Sequence, residues 1–439
     1  DIDRNSNTAI YRDNANCILP IKVDTSASQQ TRNQQMVDIA TTVCPFLLSS
    51  SKMAEDQTND ADIKVRPLLG GLSNEIFVVE NAITQRAVLI RIHPEDEDEE
   101  NTCEPHVSPS GNPKDSDTDT DTDSDSMPSD EDISIPNETT NNSSNDLISH
   151  RQMENRLVAW LSQQGMAPIF YGRFENGRVE EFYDNAAPLS CEEMGSHADI
   201  IGSIMAKFHV ESMPVEILPK PENERLGYAA DRIDSWFTSA FKHINEEARR
   251  NDDAINDGSD EQQQLIAHVH KLHQEWMWLQ SALERPPVHS VADDDDGKTT
   301  ATTHSTKKAT NFIREVVLTH MDCQPLNILK PTTNDNANTT NNIKLIDFEY
   351  AGWNPRAADI ANTFCEHCNM TNLCPNYETE YPTTQQQNAF LRSYLRQADP
   401  AWSAQLDSDG ARWDDVLSAL RNEVGRFTLV SHMQWAVWS

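Results

Sequence analysis

The sequence predicts an α+β fold of two lobes, a small strand-rich part followed by a larger, mostly helical one, with a cleft between them. Three features lead there. Two strand-like runs, NEIFVVE (74–80) and AVLIRIH (87–93), lie close together early in the chain; helical spacing dominates after residue 150; and two late apolar runs each end in a polar motif, LTHMDCQPLNILK (318–330) and IKLIDFEY (343–350).

Taken in order, residues 1–60 are polar and read as an N-terminal extension with one helix near QQMVDIATTVCPFLL. Residues 61–184 read as the small lobe, holding both early strands and the turn sequence LLGGLSN. Residues 95–148 interrupt it with Asp-Ser-Asp-Thr and Asn/Ser/Thr tracts, too poor in apolar groups to offset the entropy of ordering, and are expected to be a disordered insert. Order resumes at HRQMENRLVAWLSQQG, where Met153, Leu157, Trp160 and Leu161 fall at helical spacing. A hairpin turning at Asn176-Gly177 follows. Residues 185–439 read as the large lobe, with helices around ADIIGSIMAKFHVESM, 260–284, 384–398 and 412–438, and with further inserts at 287–311 and 331–342.

The net charge of −36 is high for a globular chain, but 18 acidic residues against one lysine in residues 95–148 account for about half of it. No basic stripe points to nucleic acid, and the acidity argues against an anionic membrane surface. No apolar run is long enough to span a bilayer, and the first 25 residues lack a signal pattern. Eight cysteines in 439 residues are too sparse for a disulfide scaffold and read as reduced thiols of a cytoplasmic protein. The sequence begins with Asp1 and stops at Ser439 inside a Trp-rich helical pattern, so truncation at either end is open.

The chemistry lies in the two late motifs. One strand leads to His320 and then to Asp322, expected to be exposed at a turn where it can accept a hydroxyl proton. Asn327 offers a neutral oxygen to a hard cation such as magnesium, and Asp347, at the end of the next strand, a second metal ligand. Phosphoryl transfer needs this set, a base that orients the nucleophile and metal ions that neutralise a triphosphate. His320 reads as a structural hydrogen-bonder rather than a base. Gly70, Gly71, Leu72, Ser73 and Asn74 would let backbone N–H groups approach phosphates, though most such turns are only turns. Arg91 is a cation in an apolar run, and Glu154 on the following helix is a candidate partner for it.

In these residues the chain resembles the choline/ethanolamine kinase family of the protein-kinase-like and aminoglycoside-phosphotransferase superfamily. The motifs that carry the resemblance are RPLLGGLSNEIF, VLIRIH, GMAPIFYGRFENGRVEEF, HMDCQPLNIL, LIDFEYAGWNPRAADIANTFCEH and EVGRFTLVSHMQWAVW. It implies a two-lobed kinase fold using ATP and Mg2+ to phosphorylate an amino-alcohol for phospholipid head-group synthesis. It further implies Asp322 as catalytic base, Asn327 and Asp347 as magnesium ligands, Gln324 on the nucleotide side, and residues 69–75 with Arg91 as a phosphate clamp. Residues 180–186, including Glu181 and Phe182, match the adenine hinge, and Asp359 an aspartate that braces the catalytic loop.

A quaternary ammonium donates no hydrogen bonds, so aromatic faces and carboxylates must hold it. Tyr350, Trp435 and Trp438 match the family's aromatic cage and Glu366 its acidic partner, although two tryptophans spaced i,i+3 also suit core packing. Leu69 and Leu326 depart from the family pattern, as do His367, Cys368 and Asn369 where further aromatics are usual. Cys323 and Gln324 lean towards choline and the thinned cage towards ethanolamine; choline stays ahead, with both open. Another small-molecule kinase and a non-enzymatic scaffold are the rival readings. A zinc site at Cys365, His367, Cys368 and Cys374 is disfavoured because no second Cys pair follows. Expected partners are the small-molecule substrate alone, with no nucleic acid and no stable membrane insertion; a homodimer is allowed.

Overall fold

In the computed structural model, which describes residues 18–48, 62–68, 75–93, 143–211, 213–214, 217–218, 221, 225–252, 260–285, 301–332, 343–368, 375–408 and 411–438, the chain opens with strand β1 (Ile18–Leu19) and helix α1 (Gln29–Val43). Strands β2 (Ile63–Pro67), β3 (Glu75–Asn81) and β4 (Arg86–Ile92) form a meander. After helix α2 (Ser143–Gln163), β5 (Phe170–Phe174) and β6 (Gly177–Glu181) complete a six-stranded sheet in the order β1-β5-β6-β4-β3-β2. All its pairs are antiparallel except β1–β5.

Alternation sorts this sheet into two faces. Val88, Ile90 and Ile92 of β4 and Val179 of β6 are buried on one face under Met36, Ile39 and Ala40 of α1. The helix expected near residues 34–48 is therefore real, and residues 18–48 are built into the core of the small lobe. On the opposite face the same strands present Arg91, Arg178 and Glu180, all buried.

The large lobe follows a short strand β7 (Ala186–Pro188). Helices α3 (Cys191–Ser196) and α4 (Ala198–His209) lead to the long pair α5 (Tyr228–Asp252) and α6 (Asp260–Glu284). Trp276 of α6 is fully buried, and its indole N–H donates to Asp234 Oδ1 at 2.6 Å, so the largest apolar side chain in the pair brings its own polar partner.

Helix α7 (Ala301–Ile313) corrects the sequence reading, which assigned residues 287–311 to an insert. Its Thr/Lys-rich sequence carries little apolar signal, yet Ala309, Thr310 and Ile313 are buried on one stripe. Tertiary packing supplies what propensity does not. Likewise α2 already begins at Ser143, inside the expected insert; residues 95–142, apart from that helix, lie outside the described residues, as do 333–342.

The two polar motifs sit on short strands. Strand β8 (Val316–Thr319) pairs antiparallel with β11 (Gly352–Pro355), while β9 (Ile328–Pro331) lies between β7 and β10 (Lys344–Leu345). Helices α8 (Arg356–Cys365), α9 (Tyr377–Glu380), α10 (Thr384–Ala398), α11 (Pro400–Ser408) and α12 (Ala411–Trp438) complete the lobe. No described helix is long and apolar enough to cross a membrane.

The start of α5 is pinned against β11. Ala229 N–H donates to Asn354 Oδ1 at 2.7 Å, and Gly227 turns the chain there with φ +74°. A Cβ on Gly227 would lie 2.2 Å from Trp353 O and 2.7 Å from Asn354 Cα, in a conformation that favours glycine. Gly227→Ala is expected to destabilise the protein by about 2–4 kcal/mol, measured by urea denaturation. A loss below about 0.5 kcal/mol would show that this contact is slack.

Candidate active site

The site is built on β8 and its neighbour β11. Because these strands run antiparallel with Thr319 opposite Gly352, the chain enters β11 beside the loop that follows β8 and leaves it beside Glu315, whose O accepts from Arg356 N–H at 3.0 Å. From there α8 carries Asp359, in its first turn, back to the loop that follows β8. Its Oδ2 accepts from His320 N–H at 2.8 Å and its Oδ1 from Met321 N–H at 2.7 Å. Met321 has φ +62°, an unfavourable conformation for a residue with a side chain, and these bonds hold it. Burial works to raise the Asp359 pKa, but the hydrogen bonds from the His209 side chain and the His320 backbone N–H help to outweigh it and keep the carboxylate ionised, below its usual range.

The support continues inward. Arg356 Nη1 donates to Tyr394 Oη at 3.0 Å, Tyr394 lies 2.6 Å from His209 Nδ1, and His209 Nε2 lies 2.8 Å from Asp359 Oδ2. Every bond is satisfied if the tyrosine hydroxyl donates to Nδ1 and Nε2–H donates to Asp359. Burial lowers the His209 pKa, in keeping with that neutral tautomer. His320 acts as expected, bracing rather than titrating: its Nε2 lies 3.0 Å from Ile346 O, tying the first polar loop to the second.

Asp322, Asn327 and Asp347 come together on this frame. Asn327 Nδ2 donates to Asp322 O at 2.9 Å and to Asp322 Oδ2 at 2.8 Å, leaving its amide oxygen for other partners. Ile346 N–H donates to Asn327 O at 3.0 Å, which places Asp347, with φ +64°, against the same loop. Gln324 Nε2 also reaches Asp322 Oδ2, at 3.2 Å. Asp322 is not exposed, as the turn suggested, but 5% accessible, because Asn327 folds the loop back over it. Burial first, and then the charges of Glu366 and Asp347, raise its pKa well above the ordinary carboxylate range.

The basic side of the site is a buried chain of alternating charges. Arg91 on β4 and Arg178 on β6 stand directly opposite each other, an arrangement that repels unless acids intervene. Three do. Glu180 Oε1 accepts from Arg178 Nε at 2.5 Å and its Oε2 lies 3.9 Å from Arg91 Nε; Glu154 accepts from Arg178 Nη1 at 2.7 Å; and Asp347 accepts from Arg91 Nη1 at 3.3 Å. Glu154, read as a partner for Arg91, thus bonds Arg178 and adds its field to Arg91. Arg91 to Asp347 links the small lobe to the large one.

Of the residues read as nucleotide contacts, Gly70, Gly71, Leu72, Ser73 and Asn74 lie outside the described residues. Glu181 Oε2 accepts from Ile169 N–H at 3.1 Å, and the ring of Phe182 lies under Arg66 at 5.2 Å; these contacts shape the turn after β6. On the other side of Asp322, Tyr350 and Trp435 meet edge to face at 5.3 Å, and Trp435 and Trp438 at 6.0 Å. Trp438 is 47% exposed, whereas Glu366 is buried. Burial pushes Glu366 up to about 7, with Asn362 and the neighbouring Trp435 indole offsetting part of the shift. Arg178, His209 and Arg232 escaped the sequence reading. A period-2 pattern of Arg178 and Glu180 within one strand was the only available signal, and both resemble ordinary exposed positions.

The donor set fits a hard divalent cation. Asp347 and the Asn327 amide oxygen offer oxygen donors of the kind such an ion prefers, beside an Asp322 whose pKa burial, and then the charges of Glu366 and Asp347, raise. Among the described residues no group of three or more His, Cys, Asp or Glu is placed to hold a metal ion. Of the cysteine cluster, Cys365, His367 and Cys368 are buried, and Cys374 lies outside the described residues.

Two lobes, the small one sheet-based and the large one helical, with paired polar loops facing the sheet, define a protein-kinase-like fold. Residues 141–439 match the family model for choline/ethanolamine kinase, and the chain belongs to that family. It is 28% identical over 294 residues to a human choline/ethanolamine kinase, covering 65% of this chain and 61% of the relative. Over 298 residues it is 28% identical to mouse choline kinase alpha, covering 65% of this chain and 54% of the relative. The chain thus spans little more than half of these curated relatives. Its fold is like that of a Plasmodium vivax ethanolamine kinase (TM-score 0.58, 17% identity, 100% of this chain and 88% of that one). It is also like that of a Cryptosporidium parvum choline kinase (TM-score 0.54, 20% identity, 92% and 88%). The likeness in fold takes in the small-lobe strands that precede the family match.

Asp322 tests the charge argument. A carboxyl whose pKa is raised by folding favours the native state below its ordinary pKa and loses that contribution as pH rises through the raised value. At pH 7.5 without nucleotide or metal, Asp322→Asn, which keeps the shape, is expected to stabilise the protein by about 1–2 kcal/mol in thermal denaturation, the gain vanishing near pH 4. An unchanged or lower Tm at pH 7.5 would contradict the crowding.

Proposed function

We propose that this protein is an ATP- and Mg2+-dependent kinase that phosphorylates the hydroxyl of a small amino-alcohol, choline ahead of ethanolamine, producing a phospholipid head-group precursor in the cytoplasm. The observation that carries this reading is Asp322, bonded by Asn327 and close enough to Asp347 and Glu366 for their charges to raise its pKa, with Tyr350, paired edge to face with Trp435, within reach of its field. Free thiols at Cys44, Cys191, Cys323, Cys365 and Cys368 suit a reducing compartment.

In this reading Asp322 accepts the acceptor's hydroxyl proton, and its raised pKa brings it closer to the range in which a carboxylate is an effective base. Asn327 holds the carboxylate in one orientation, so that Oδ2 stays fixed while the hydroxyl approaches. Asn327 and Asp347 would hold magnesium, which when bound neutralises phosphate charge. Arg91, fixed by Glu180 and Asp347, aims a cation at the phosphate side of the cleft. Glu366 pairs with the ammonium, while the faces of Tyr350, Trp435 and Trp438 supply the contact a quaternary nitrogen needs.

Ethanolamine is the second reading, and a sparse cage favours it: among the described residues Tyr350 and Trp435 meet at 5.3 Å, with the 47% exposed Trp438 beside Trp435 at the rim. A primary ammonium can rely on hydrogen bonds to Glu366 instead.

Magnesium-dependent phosphorylation of choline or ethanolamine is expected from the wild type and should fall by about 10²–10⁴-fold in Asp322→Ala. A folded wild type inert on both amino-alcohols would remove the reading. Because Glu366 titrates near 7, its anionic form grows as pH rises from 6 to 8; the KM for choline should fall over that interval. Glu366→Gln should raise the KM and flatten this dependence, whereas a slope that survives the substitution would assign the titration elsewhere.

A further inference from the structure

Arg232, on α5, is 8% exposed and has no obvious place in a site that receives a cation. Its guanidinium carbon lies 5.0 Å from the centroid of the Tyr350 ring, and its Nη2 donates to Tyr350 O at 3.1 Å. Its Nη1 is buried without a hydrogen-bond partner among the described residues. Burial lowers its pKa to about 10, against the fields of Tyr350, Glu349 and Asp322, so it remains charged at neutral pH. The helix that carries it is anchored to β11 through Ala229 and Asn354, so the guanidinium is held rather than hinged.

We propose that Arg232 is a specificity-determining residue of the acceptor site: by engaging the π face of Tyr350 it withholds that ring from a quaternary ammonium and turns the site towards a primary one. The inference rests on the amino-alcohol reading above. An aromatic ring attracts a cation through its quadrupole, and a ring that already carries one cation attracts a second more weakly. Like-charge repulsion is common to both acceptors. Loss of the ring is not, because the methyl-capped nitrogen of choline has only ring faces and diffuse carboxylate attraction, whereas the ammonium of ethanolamine can donate hydrogen bonds to Glu366. Arg232 engages both the Tyr350 ring and its backbone oxygen, so the ring already carries one cation when an acceptor arrives.

The test is competition between choline and ethanolamine in one reaction with ATP and Mg2+, reading the ratio of their kcat/KM values. That ratio does not depend on how much of a variant is folded. Arg232→Met, which keeps length and removes charge, should raise the choline-to-ethanolamine ratio by about 3- to 30-fold, mainly through a lower KM for choline. Arg232→Lys, which keeps a cation over the ring, should stay within about twofold of the wild type. In a Tyr350→Leu background Arg232→Met should no longer move the ratio, because the ring it acts through is gone. A ratio unmoved by Arg232→Met, or a shift that persists without Tyr350, overturns the assignment. Inertness of the wild type on both acceptors overturns the acceptor reading itself and is recognised separately.

Discussion

The grip of Asp359 on the backbone of His320 and Met321 is the interaction on which the site depends. It is a buried carboxylate receiving two backbone N–H groups and a histidine N–H, with each donor itself fixed. The loop it holds contains a positive-φ methionine, a conformation that would relax if either backbone bond were lost. Asp322, Asn327 and, through Ile346 and His320, the second loop all take their positions from this grip. Arg356, Tyr394 and His209 extend it into α10 and α4, so the most closely packed part of the large lobe buttresses the most exacting part of the site. Gly202 of α4 illustrates that closeness: a Cβ there would lie 2.4 Å from Phe390 O of α10.

Above this rigid base the charges are deliberately unbalanced. Asp322 and Glu366 are both buried, and Asp347 stands near enough to raise Asp322. Left alone, such a group of acids favours protonation over ionisation. Their crowding is relieved by cations, and the two that the proposed reaction brings, a divalent ion and a substrate ammonium, would arrive on opposite sides of Asp322. Of the protein's own cations, Arg91 is already shared with Glu180 and Asp347, and Arg232, which feels the field of Asp322, rests on Tyr350. In the proposed reaction, binding energy and catalytic readiness would have one electrostatic origin.

The acceptor side shows the opposite economy of means. In the proposed acceptor site, two rings in edge-to-face contact and one at the rim would make a modest cage, and one of them already engages an arginine. Discrimination between amino-alcohols of the same charge would then come from ring faces and hydrogen-bond capacity rather than from net attraction. That is a small difference in free energy, of the size of one cation–π contact.

Much of the site could be read along the chain because its members are local. Asp322 and Asn327 are five residues apart on one loop, and Asp347 follows the very strand that lies beside them. Strand periodicity likewise revealed β3, β4 and the β5–β6 hairpin, and helical periodicity revealed α2, α4, α6, α10 and α12. Helix α7 was hidden because its Thr- and Lys-rich composition reads as a loop until the surface that covers Ala309, Thr310 and Ile313 is known. Only the folded chain could show that Asp322 is covered, that Arg178 shares acids with Arg91, that His209 supports Asp359, and that Arg232 rests on Tyr350. The partners in the last two pairs are 150 and 118 residues apart, and a buried arginine or histidine in a helix reads the same as a solvated one until the surface that covers it is known. Residue type and local spacing were enough to specify which chemistry was available; long-range packing decided which charges were buried together, and burial is what sets their strength.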